Sequence, residues 1–274
     1  MDLNNVTDVI RLRERADLGR WRTGDAVIAG GTWLLSEAQD DLRRLVDITT
    51  MGWQDAAISD EGLELAATCS VEQVSRLAGQ LPPDWRAAPL LHQCATALLA
   101  SFKIWKTATI GGNLCLAFPA VAMISLVTAL DGELRIWRPD GSEYTVDITE
   151  FVTGAATNVL EPGDIVRSVF LPAGALRGRT AYRKLALSAL GRSGAVIVGR
   201  LDNPADGGTF TLAVTGSTTR PLRLRFPRVP GRAELDAALA EIPQPLWHDD
   251  AHGAPDWRCA ISSVLAHEIR EELE

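Results

Sequence analysis

The chain has 274 residues, a formal net charge of −8, 46% hydrophobic residues and 23% charged residues. This is a globular composition with enough chain to bury a sizeable core in about one to three modest units, and the acidic balance argues against nucleic acid as the main partner. No apolar run reaches the ~20 residues that span a bilayer, and Met1-Asp2-Leu3-Asn4-Asn5 lacks a charged-then-apolar secretory pattern, so the expectation is a cytoplasmic protein without membrane insertion.

Residues 1–57 read as a small α/β unit. Asn5 to Ala16 is charged and helical in pattern. Ala26 to Ala29 reads as a strand running into Val27-Ile28-Ala29-Gly30-Gly31-Thr32-Trp33-Leu34-Leu35, and Thr32 is placed to cap a helix after it. Leu45 to Ile48 is a second strand.

Residues 58–176 form a larger unit. Ile58, Leu63 and Leu65 predict a hairpin around Asp60-Glu61-Gly62, and Ser70 predicts a helix start for Val71 to Ala78. Leu90 to Leu99 is an apolar helix leading to a second glycine loop, Thr107-Ala108-Thr109-Ile110-Gly111-Gly112-Asn113-Leu114. Ala120 to Ala129 is apolar nearly all round, the pattern of a buried helix. Leu134 to Arg138 alternates as a strand before the turn signal Pro139-Asp140-Gly141, and Val166 to Leu171 closes the unit as a strand.

Residues 177–274 read as an α+β domain. Strands are expected at Thr180 to Leu187, Ala195 to Leu201 and Phe210 to Thr215, and helices at Glu234 to Ala240 and Asp256 to Leu273. In Arg220 to Arg228, Leu222, Leu224 and Phe226 alternate with Arg223 and Arg225, a strand with one buried and one solvated face. An anion site or a docking surface for a partner subunit are the other readings of those arginines. The piece 242–255, rich in Pro, His and Asp, reads as a surface loop that carries His248 and His252.

The two glycine loops carry the chemistry. A Gly pair lets backbone N–H groups turn outward and removes Cβ atoms that would block a ligand. Thr32, Thr109 and Asn113 add side-chain hydrogen-bonding groups, and two such loops facing each other would cradle a diphosphate. A branched side chain at Gly111 would then occupy the volume a phosphate needs. Trp33 and Trp105 flank the loops, and either stack on a bound ring or fill its space. Neither a G-x-x-x-x-G-K-[ST] loop nor a G-x-G-x-x-G after a strand is present. Gly191-Arg192-Ser193-Gly194-Ala195 falls one residue short of a nucleophile elbow. Cys69, Cys94, Cys115 and Cys259 form no C-x-x-C pair, so free thiols are expected and an iron–sulfur centre would sit on another polypeptide.

In this order, the loops resemble the AGGT-L and TIGGN loops of the FAD-binding (medium) subunit of molybdenum hydroxylases, the family of the carbon monoxide dehydrogenase medium subunit and the xanthine dehydrogenase flavin domain. Leu45-Val46-Asp47-Ile48, Glu161-Pro162-Gly163-Asp164-Ile165-Val166, Leu171-Pro172, Gly216 to Leu224 and Asp256-Trp257-Arg258 extend the resemblance along the chain. It implies an α+β protein: two α/β subdomains of a PCMH-type FAD-binding fold plus an α+β C-terminal domain. It implies FAD held by Ala29, Gly30, Gly31, Thr32, Trp33 and Leu34 from the first loop, and by Thr109, Ile110, Gly111, Gly112 and Asn113 from the second. Val166 would pack against the isoalloxazine face, and Lys184 would lie near the flavin, where a cation stabilises the reduced ring. The implied role is an oxidoreductase subunit that passes electrons from iron–sulfur clusters on a partner to an external acceptor. No catalytic acid–base residue and no metal ligand is assigned. The partners would be a large subunit with the molybdenum cofactor and a small 2Fe-2S subunit.

The chain also departs from the family pattern. Trp105-Lys106 stands where an Arg-Asn pair is usual, Trp33 where Asp or Ser is usual, Phe118 for a Ser, Ala122 for an Asp and Ser188 for an Arg. The backbone cradle is retained while several side-chain contacts are lost. These departures motivate a rival reading, a flavin-free scaffold or assembly protein of the same fold.

Overall fold

The computed structural model describes residues 3–120 and 122–274. Strands β1 (Asp8–Arg11), β2 (Asp25–Ile28) and β3 (Arg44–Asp47) form a parallel sheet in the order β1-β3-β2. The helix expected at Asn5 to Ala16 is not there. Its place is taken by β1 and a 3-10 helix at Arg15–Arg20. Pairing with β3, from Asp8 opposite Arg44 to Arg11 opposite Asp47, overrides the local charge pattern. Leu12, Leu18, Val46 and Ile48 form a small core that Ile165 of the next unit completes. The first glycine loop leaves the carboxyl end of β2. No helix follows it: Leu35 N–H bonds to Gly31 O and Ser36 N–H to Trp33 O, so the segment is a run of turns and Thr32 caps nothing.

β4 (Ala56–Ile58) and β5 (Gly62–Ala66) make the expected hairpin. Helices α1 (Val71–Leu77), α2 (Pro89–Thr96), α3 (Phe102–Thr107), α4 (Ile110–Leu116) and α5 (Ala122–Ala129) follow. Ser70 and Gln73 close a reciprocal capping box on α1. The second glycine pair lies inside a helix rather than a loop, in the first turn of α4, with Thr109 as its N-cap. Beyond α5 come β6 (Glu133–Trp137), β7 (Glu143–Asp147), the short helix α6 (Ile148–Phe151), the small hairpin β8 (Val152–Gly154) and β9 (Thr157–Asn158), and β10 (Ile165–Pro172). The larger sheet has the order β4-β5-β10-β6-β7. Leu63, Leu65, Val169 and Leu171 from its centre join the helices in one core.

Helix α7 (Ala173–Arg177) leads into a third sheet of β11 (Arg179–Leu185), β12 (Ala195–Leu201), β13 (Phe210–Thr215) and β14 (Leu222–Phe226), antiparallel in sequence order. Val196, Val198 and Ala213 face the main core, while Ala195, Ile197, Leu212 and Val214 face a second core under α8 (Arg232–Ala240) and α9 (Pro255–Leu273). Strands covered on both faces read as continuous apolar runs. Arg225 lies on the solvated face of β14, as expected, while the Arg223 side chain is drawn into a seam with the preceding unit. Arg223 bonds to Asp147 at 2.7 Å and to Thr128 O at 3.0 Å, and Arg225 reaches Asp131 at 2.8 Å. The segment 242–255 lies at the surface as expected, with Pro243 to Pro245 and Asp249 to Ala251 exposed, but it is anchored from within. Trp247 is buried, and the buried Arg258 donates to Asp250 and to the carbonyls of Gly194, Gly216 and Gly253. Among the described residues, no helix is long and apolar enough to cross a membrane.

Candidate functional site

Parallel strands present their following loops at their carboxyl ends, where ligands of open α/β sheets bind. The first glycine loop sits there. A Cβ built on Gly30 would lie 1.8 Å from Thr107 O, so this loop is pressed against the backbone entering α4. Gly31 has φ +66°, a left-handed conformation that a side chain disfavours. The close approach puts both glycine pairs on one cleft. Its first lobe, about 200 Å³, is lined by Val27 to Leu34 on one side and by Ala108, Thr109, Gly112, Asn113, Cys115 and Leu116 on the other. A second lobe of about 160 Å³ shares Val27, Ala29, Gly112 and Cys115 with the first, and adds Ile48, Ala67, Gly111, Leu160, Asp164, Ile165 and Val166.

The two glycine pairs play different parts. Among the described residues no hydrogen bond takes up the backbone N–H of Gly30, Gly31, Thr32, Trp33 or Leu34, and all of these residues line the first lobe. The N–H groups of the second pair are already committed. Gly111 donates to Ala67 O at 2.9 Å and Gly112 to Thr109 Oγ1 at 3.1 Å, while Ile110 donates to Cys69 O and Asn113 to Thr109 O. A Cβ on Gly111 would meet Ala67 at 2.5 Å, so the packing of α4 by itself requires a glycine there. The cleft therefore has one row of anion donors, and α4 forms the opposite wall. Asn113 Oδ1 accepts from Met123 N–H at 2.9 Å, which fixes that side chain beside the first lobe.

Among the described residues the first lobe carries no charged side chain. In the second, the one charged group among the described residues is Asp164, held by Tyr144 Oη and Glu161 N–H, both at 3.3 Å. Val166 lines this lobe, as the resemblance implied for a ring-packing residue. Leu160 and Cys115 were missed by the sequence reading, although Cys115, three residues beyond Gly112 on α4, falls on the same helix face. Burial pushes the Cys115 thiol up to about 12.

Several expected residues lie elsewhere. Trp105 is pinned by a hydrogen bond from its Nε1 to Leu98 O and packs against the main core, so it neither stacks in the cleft nor fills it. Ala122 is buried in α5 and lines neither lobe. Lys184 lies on β11 opposite Val196 and outside both lobes; burial lowers its pKa. Ser188 is exposed in the turn after β11. Trp33 does line the first lobe, and it packs edge-on against Phe118 with ring centroids 4.9 Å apart.

Residues 4–174 match the family described as the FAD binding domain in molybdopterin dehydrogenase. The chain belongs to this family. FAD is the family's cofactor, and the site fits it: unpaired backbone donors suit a diphosphate, and the largely apolar second lobe suits a ring. Among relatives, the caffeine dehydrogenase subunit beta of Pseudomonas sp. (strain CBB1) is 28% identical over 138 residues, 49% of this chain and 46% of that protein. The match thus spans less than half of that relative. The fold matches a chain of the carbon monoxide dehydrogenase of Hydrogenophaga pseudoflava with TM-score 0.81 and 22% identity, covering 100% of this chain and 98% of that one. A chain of Oligotropha carboxidovorans CO dehydrogenase gives 0.82 at 20% identity, with 100% and 99% covered. Quinoline 2-oxidoreductase of Pseudomonas putida 86 gives 0.80 at 18% identity, with 100% and 98% covered. These likenesses establish the α+β fold of the whole chain.

Proposed function

We propose that this chain is the FAD-binding electron-transfer subunit of a molybdenum hydroxylase, working beside a large molybdenum-cofactor subunit and a small 2Fe-2S subunit. The carrying observation is the row of unpaired N–H groups from Gly30 to Leu34 opening into the first lobe of a two-lobed cleft. Bound FAD would supply reversible electron storage between the clusters of a partner and an external acceptor. The chain's own work is to bind and orient. The first loop holds the diphosphate, Thr109, Gly112 and Asn113 wall it in, and Val166 and Leu160 flank a ring in the second lobe.

The test is to express the chain alone and with candidate partner genes, then measure flavin absorbance and the FAD-to-protein ratio. The expected result is one FAD per chain after reconstitution. A chain that takes up no FAD, alone or in a complex, overturns this reading in favour of the flavin-free scaffold.

A further inference from the structure

Trp33 and Phe118 were read from sequence as two separate departures. In the structure they are one feature. The rings pack edge to face at 4.9 Å with an interplanar angle of 69°, a favourable arrangement for an aromatic pair. Trp33 lines the first lobe and Phe118 does not, so the indole stands between Phe118 and the cleft. Among the described residues it is the only aromatic side chain lining either lobe. Within the first loop it lies two residues beyond Gly31, in the run of unpaired donors, which puts a flat apolar surface beside the place where a diphosphate is held.

Resting on the FAD reading above, we propose that Trp33, braced by Phe118, is the stacking platform for the purine half of the dinucleotide. A dinucleotide carries one ring on each side of its diphosphate. The second lobe, with Val166, Leu160 and Ile165, takes one ring, and the diphosphate donors with Trp33 occupy the other lobe. The purine therefore belongs to Trp33. Stacking tolerates the absence of the polar side chains that Trp33 and Phe118 replace, because it needs only the face of the base.

The test measures binding of FAD, ADP and FMN to the full chain and to its W33A, W33F and F118A variants by calorimetry, with thermal melts to confirm folding. The expected result is that W33A weakens FAD and ADP about tenfold or more and leaves FMN unchanged. W33F keeps most of the affinity, and F118A loses an intermediate amount. Unchanged or tighter FAD binding by a folded W33A overturns the proposal, because the indole would then be a bystander or a plug. Loss of FMN with ADP unchanged also overturns it, by moving the indole to the flavin ring. An unmodified chain that binds ADP but neither FAD nor FMN overturns the FAD reading while leaving the purine platform standing; one that binds none of the three overturns both.

Discussion

A methyl group placed at different glycines of the cleft separates packing from binding. At Gly30 it would fall 1.8 Å from Thr107 O and at Gly111 2.5 Å from the Ala67 side chain, with backbone or a fixed side chain as the obstacle in each case. Gly30→Ala and Gly111→Ala are therefore each expected to cost about 1–3 kcal/mol, which urea or thermal denaturation of the apo protein measures. At Gly112 the nearest obstacle is Thr109 Oγ1 at 3.2 Å. Gly112→Ala should leave apo stability within about 1 kcal/mol, helped by the better helix propensity of Ala, yet weaken FAD at least tenfold, because Gly112 borders both lobes. Equal FAD affinity in a folded Gly112→Ala protein would place the dinucleotide away from α4. Cys115 gives an independent check. Its pKa of about 12 leaves little thiolate at neutral pH, so alkylation should be slow, and FAD should slow it further in a mass-spectrometric time course. Alkylation at the same rate with and without FAD would contradict a ligand in the shared part of the cleft.

Elements were legible wherever the chain's own pattern matched its final surroundings. The Ser70 cap of α1 follows from local chemistry alone, and α5, apolar nearly all round, predicted its own burial. β1 was illegible because its conformation comes from β3, a partner more than thirty residues along the chain. The start of α4 was hidden because a Gly pair reads as a turn, and only the Thr109 cap with its contacts to Ala67 and Cys69 makes it helical. Trp33 and Phe118 lie far apart in sequence, and nothing local shows that they touch. Arg223 was read as facing solvent because its acidic partners across the seam, Asp131 and Asp147, lie far back in the chain. That seam makes a prediction about pH. Burial works against the Asp147 carboxylate, but hydrogen bonds from Thr149 and Arg223 outweigh it and hold its pKa below the ordinary 3.8. A carboxyl depressed in the folded state contributes stability that is present above its unfolded value and drains away as pH falls through the folded one. Asp147→Asn retains an acceptor for the α6 cap but loses the charge facing Arg223. It should cost about 1–3 kcal/mol at pH 7 and flatten the loss of stability below about pH 4. Denaturation midpoints from pH 3 to 7 test this; parallel curves for the two proteins would show that the seam does not titrate with folding.

At the scale of the whole molecule, the three sheets share cores. Ile165 of β10 completes the small core beneath β3, and Val196, Val198 and Ala213 of the third sheet belong to the same core as α1, α2 and α5. All of α5 is buried because α2 and α4 cover part of it and β12 and β13 cover the rest. Ser125 and Thr215 share a buried hydrogen bond at 2.6 Å across that boundary, and Arg200, itself buried, donates to Ala129 O at 2.5 Å and pairs with Asp131 at 2.6 Å. The chain from β11 onward thus covers part of the core shared with the cleft-bearing helices, although among the described residues none of it lines either lobe. Removing residues 177–274 would strip one face of α5, leave the carbonyl of Ala129 without Arg200 and leave the carboxylate of Asp131 without Arg200, Arg223 and Arg225. A fragment ending at residue 176 keeps both glycine pairs and every residue of the cleft, yet it is expected to lose its cooperative thermal transition, bind a hydrophobic dye and fail to take up FAD. A sharp melt near that of the full chain, with FAD bound, would instead show that the first two units fold alone and that the C-terminal sheet is an appendage free for another task.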